Sequence, residues 1–136
     1  MSENKQTTLS IFGSAVTPDN LGPYPVLLQV DGAPPAPVIP VPAGASLFIS
    51  DISLVGGVTF GNFFLQQSID GGMTFFNIGL FKTIGTGFVT QSELYSPKTG
   101  WVVKGGPGVL VRLMVSNPAD VTGSFATVTI RAYTET

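Results

Sequence analysis

Ala126-Thr127-Val128-Thr129-Ile130-Arg131-Ala132-Tyr133 sets small or branched apolar residues at every second position and polar or amphipathic ones between them. A period of two belongs to an extended strand with one face in a core and the other in water. Gly108 to Ser116 repeats it: Val109, Val111, Leu113 and Val115 share one parity, while Arg112 and Ser116 take the other. No stretch holds an apolar 3.6-residue repeat for three turns without Gly, Pro or β-branched residues, so no long helix is expected.

Extending this reading places strands at about 7–12, 25–31, 46–55, 58–69, 73–82, 87–94, 101–104, 108–116 and 122–133. Short strands separated by Gly, Pro, Asn and Asp point to an all-β, antiparallel β-sandwich of about eight or nine strands. In Leu47-Phe48-Ile49-Ser50-Asp51-Ile52-Ser53-Leu54 the apolar parity shifts from Leu47 and Ile49 to Ile52 and Leu54. One extra residue near Ser50 or Asp51 restores inward pointing, which predicts a β-bulge. Ser68-Ile69-Asp70-Gly71-Gly72-Met73 separates two aromatic-rich runs, and its Asp-Gly-Gly supplies the positive φ angles of a tight hairpin.

At 136 residues the chain fits one domain, 9–136, preceded by a polar arm, 1–8. Inside the domain, residues 33–42 contain five prolines. That run lacks the amide hydrogens of a central strand and is expected to be a stiff connector between sheets, with an SH3-type ligand as the rival role.

The chain has no His and no Cys, and only 10% of its residues are charged, against roughly 25% in soluble domains. His-based triads and thiol chemistry are therefore impossible. Asp51, Asp70 and Glu93 are the least implausible catalytic carboxylates, but Asp70 has a turn to hold and Asp51 falls at the expected bulge. No two acids lie within ten positions of each other, which argues against a calcium loop, and no cofactor is expected. Six scattered Lys and Arg form no phosphate track, so nucleic acid is not an expected partner. Met1 to Thr8 has no apolar signal core, and no window reaches the ~20 apolar residues of a membrane-spanning helix. The expectation is a protein made in the cytoplasm without classical secretion, and no membrane partner.

Phe60, Phe63, Phe64, Phe75, Phe76 and Phe81 fall on the two strands joined by the Asp70 turn, so aromatic residues occupy both faces of one hairpin. One face enters the core and the other requires cover, which makes these six, together with the N-terminal arm, the expected contacts, and Phe63→Asp or Phe76→Asp the changes expected to dissociate an assembly. A sugar platform is the rival reading. Its candidates are Tyr95 and Trp101, although Trp101 also suits a core anchor.

Val41-Pro42-Ala43-Gly44-Ala45-Ser46-Leu47-Phe48-Ile49-Ser50-Asp51-Ile52 resembles the "VPAG…L.I.DI" opening of small jelly-roll-like β domains of bacteriophage structural proteins. Leu65 to Thr74, Gly108 to Arg112 and the closing Val-Thr-Ile are similar in style. The resemblance implies a non-enzymatic virion component: a capsid decoration (cement) protein, fibre or tail module, commonly a homotrimer bound to a capsid or tail protein. Two alternatives stay open beside it, a carbohydrate- or receptor-binding sandwich and a self-assembling extracellular fibre subunit.

Overall fold

The computed structural model describes residues 6–16, 24–57, 62–82, 91–95, 100–116 and 125–136. The described residues contain eleven strand elements and no helix. They are β1 (Gln6–Val16), β2 (Tyr24–Pro25), β3 (Leu27–Val30), β4 (Ile39–Pro40), β5 (Ser46–Gly57), β6 (Asn62–Ser68), β7 (Phe76–Lys82), β8 (Gln91–Tyr95), β9 (Trp101–Lys104), β10 (Leu110–Ser116) and β11 (Phe125–Glu135). The front sheet runs β3-β1-β11-β5, with β9 and β8 sharing the far edge of β5. The back sheet is centred on β10, flanked by β6 and then β7 on one side and by β2 and β4 on the other. All pairings are antiparallel, and the chain alternates between the sheets along most of its length. That is the wiring of a jelly-roll-like sandwich.

Alternation along each strand builds the core. Ile11, Leu28, Leu47, Ile49, Ile52, Val128 and Ile130 face in from the front sheet, and Phe63, Leu65, Val111, Leu113 and Val115 from the back, each almost wholly buried. Side chains from two inner faces interdigitate in this way when aligned sheets stack. Trp101 is half-buried and packs against this cluster, as a core anchor would.

The bulge lies where the parity shift put it. Arg131 pairs with Asp51 and Ala132 with Ile49, which leaves Ser50 as the extra residue. Ile49 and Ile52 are both buried as a result. On the opposite edge of β5 the partner changes at the same point, from Trp101 opposite Ile49 to Tyr95 opposite Ile52. Gly100, at φ +70°, immediately precedes β9, and a Cβ there would sit 2.7 Å from the Ile49 carbonyl oxygen. Only glycine meets both demands without strain.

The proline-rich connector crosses between sheets. Ala36 bridges Leu28 at the edge of β3, and three and four residues later Ile39 and Pro40 pair with Val111 and Leu110 in the back sheet. The strand expected at about 7–12 runs over Gln6–Val16, so that Gln6, Thr7 and Thr8 of the polar arm belong to β1 and pair with Glu135, Thr134 and Tyr133. Ladder bonds use backbone groups, so a polar threonine-rich stretch pairs as readily as an apolar one wherever a neighbouring strand is long enough. Residues 1–5 lie outside the described residues.

Candidate assembly interface

The hairpin joining β6 and β7 is organised by its polar turn. Gly71 and Gly72 adopt φ of 76° and 94°, closing the reversal that Asp-Gly-Gly predicts. The buried Ser68 hydroxyl donates to Asp70 Oδ1 (2.8 Å) and accepts from the Gly72 and Asp70 amides (2.9 and 3.3 Å). Asp70 also accepts from the Thr74 amide (2.9 Å) and the Thr74 hydroxyl (2.5 Å). Hydrogen bonds from the Thr74 side chain, the Thr74 amide and the Ser68 hydroxyl stabilise the carboxylate and lower its pKa from 3.8 to about 2. Asp70 is thus a structural latch. It also delays β7 to Phe76, three residues later than the sequence pattern suggests, because Met73 to Phe75 remain in the turn.

Around this latch the apolar side chains are out in solvent. Ile69 is 62% exposed, Met73 85% and Phe76 47%. The Gly71 amide donates to the Gly108 carbonyl (2.9 Å), which ties the hairpin to the turn before β10. This tip is a firmly held apolar protrusion.

The six phenylalanines do not act as one surface. Phe63 is 0% exposed in the core, so it offers nothing to a partner, and its expected place in the interface is corrected. Phe64, one residue on, is half-buried on the outer face opposite Met114. Phe75 is half-buried beneath Arg112, whose guanidinium carbon lies 3.5 Å from the ring centroid, a cation–π contact. Arg112 Nε donates to Gln66 Oε1 (2.8 Å), and Gln66 Nε2 donates to Asn77 Oδ1 (2.9 Å), forming a polar rung across β10, β6 and β7. Partial burial lowers the Arg112 pKa, because desolvation disfavours the charged guanidinium. Phe76 alone of the six is both described and largely exposed. Phe60 lies outside the described residues, and Phe81 is described only as a backbone position opposite Phe63.

Sequence reasoning missed Ile69 and Met73 as surface, although their place beside Asp-Gly-Gly was the available signal. It also missed an aromatic pair on the front sheet. Phe48 and Tyr133 stack with centroids 4.9 Å apart and planes 4° from parallel. They lie in one cross-strand row, Thr8-Tyr133-Phe48-Val102, with Val102 54% exposed. A shallow concavity of about 400 Å³ beside the stack is lined by Gln6, Thr8, Ser10, Ser50, Arg131 and Tyr133, among others. Parity alone put Tyr133 and Phe48 on the polar side of their strands, so the signal was present. Of the two aromatic candidates for a sugar platform, Trp101 leans on the core, while the Tyr95 side chain lies outside the described residues.

Of the carboxylates, Asp51 is buried at the bulge, with Oδ2 3.6 Å from Arg131 Nη1 and Oδ1 without a hydrogen-bond partner among the described residues. The Glu93 side chain lies outside the described residues, which include no group of three metal-ligating side chains. None of them forms a helix long and apolar enough to cross a membrane.

Comparison with known proteins returned no match: no protein-family model, no curated protein and no solved structure resembles the chain significantly.

Proposed function

We propose that the chain is a non-enzymatic structural protein that associates with copies of itself and seats on a larger particle through the β6–β7 hairpin end. The observation that carries this is the rigid presentation of Ile69, Met73 and Phe76, three of the six large apolar side chains exposed among the described residues. Apolar groups fixed in water by a hydrogen-bonded latch favour burial against a partner, since little side-chain or loop entropy is lost on docking. Within this class, the resemblance of 41–52, 65–74 and 108–112 to phage jelly-roll domains favours a virion surface component, a capsid decoration or head–tail protein, as a homotrimer. Many weak copies on a lattice would gain avidity.

Light scattering on the purified chain tests the reading. A trimer is expected, together with its dissociation on Met73→Asp combined with Phe76→Asp at unchanged circular dichroism. A monomer at every concentration, or an oligomer indifferent to the double change, would overturn it.

A carbohydrate-binding module is the second reading, favoured by the Phe48–Tyr133 stack beside hydroxyls and the Gln6 amide. It expects saturable glycan binding, lost in Tyr133→Ala, which saturation-transfer NMR would register.

A further inference from the structure

β3 accompanies β1 only over Ile11 to Ser14. At Asp31 and Gly32, with φ of 51° and 78°, the chain reverses, and the Ala33 amide bonds back to the Val30 carbonyl. Asp31 closes the ladder: its amide donates to the Ser10 carbonyl, and its Oδ1 accepts from the Ser10 amide, both at 2.8 Å. Backbone groups alternate in direction along an antiparallel strand, so the amides and carbonyls of Thr8 and Gln6 point the same way as those of Ser10. No described residue pairs with them. Among the described residues the front sheet therefore has an open edge over Gln6 to Leu9.

Beneath that edge lies an apolar cleft of about 350 Å³ between the two sheets. Leu9 and Leu47 contribute from the front sheet, Val30 from the end of β3, and Val38 and Val41 from the connector. The cleft lies in line with the open edge, at the end of the sandwich where Gly105 and Gly106 bond back to Ala45 and Val41. The hairpin tip, tied to Gly108, belongs to the same end.

We propose that this edge and cleft form an acceptor site for one extended strand of a partner polypeptide, with apolar side chains at alternate positions. The site rests on the assembly reading above and names the chemistry of the partner. An unpaired edge selects an extended backbone, because only that presents amides and carbonyls at matching intervals. Side chains of an added strand alternate between faces, so every second one enters the cleft beside Leu9 while the others face solvent. The chain's own preceding residues, Met1-Ser2-Glu3-Asn4-Lys5, do not fit this description, having one apolar residue in five.

The test uses the full chain and a synthetic probe, a peptide of alternating threonine and valine flanked by lysines, with binding followed by isothermal titration calorimetry. Saturable binding is expected, and N-methylation of the probe amides that face the edge should abolish it. Thr8→Pro removes one edge donor without touching the β1–β11 ladder, and should weaken the probe about tenfold or more. Val38→Asp charges the cleft wall instead and should weaken it comparably, which keeps the test decisive if the proline variant folds poorly. Equal binding of the N-methylated probe, indifference to both substitutions, or no binding to the folded protein would each overturn the acceptor site. Light scattering on the same samples separates the two readings: an intact oligomer that ignores the probe refutes the acceptor site and leaves the assembly reading standing.

Discussion

β5 and the β6–β7 hairpin begin from the same difficulty, apolar side chains in positions that cannot all face one way, and they resolve it differently. β5 inserts Ser50 as a bulge and buries both Ile49 and Ile52. Lower in the hairpin, β7 does likewise: the register shifts between Leu65–Gly79 and Gln66–Asn77, so that Ile78 is the extra residue and packs toward the core. At the tip no such correction occurs, and Ile69, Met73 and Phe76 stay outside. A fold that twice uses bulges to bury apolar residues has a means of concealment, and the tip left outside it is the ground for the proposed contact surface.

The contrast breaks first at Phe63. Phe63→Asp buries an unpaired carboxylate in the core and should cost at least ~4 kcal/mol, enough to abolish cooperative unfolding in a denaturant titration. Gly100→Ala attacks the β5 solution, setting a Cβ against the Ile49 carbonyl in a left-handed conformation, and should lower stability by ~1–3 kcal/mol in the same measurement. Tyr133→Ala removes the stacked partner of Phe48 and should cost ~1 kcal/mol. The latch is probed by pH. Asp70 has a lowered folded pKa, so its contribution is present above its unfolded value of 3.8 and is lost as pH falls through about 2. Thermal melting should show that acid step in the native chain and a flattened one in Asp70→Asn. Met73→Asp, at an 85% exposed site, should change stability by less than ~0.5 kcal/mol while weakening self-association, and a substantial loss of stability would erase the contrast between tip and strand.

Those elements whose cause is local were legible in the sequence. The parity shift at Ser50 reports a bulge because each side chain must choose a face, and Asp70-Gly71-Gly72 reports a hairpin because few residues tolerate positive φ. The five prolines near residues 33–42 likewise forecast a crossing segment. The Ile78 bulge stayed hidden, since Phe76-Asn77-Ile78-Gly79 shows no clear alternation to break. Phe63 and Phe64 read alike as letters, and only the register with Val115 and Met114 assigns one to the core and the other to the outer face. The open edge of β1 was invisible for a related reason: it depends on where β3 turns away, a relation between distant segments that no local pattern records.

The pairing of β1 with β11 sets Gln6 opposite Glu135 and runs the whole length of β1. During synthesis, β1 must therefore wait for nearly all of the remaining described chain before it meets its principal neighbour. Folding rates fall as contacts become more distant in sequence, so refolding on the millisecond-to-second scale is expected. Throughout that interval the apolar residues of the central strands lack their final partners, which makes the nascent chain, rather than the finished sandwich, the state most prone to aggregate.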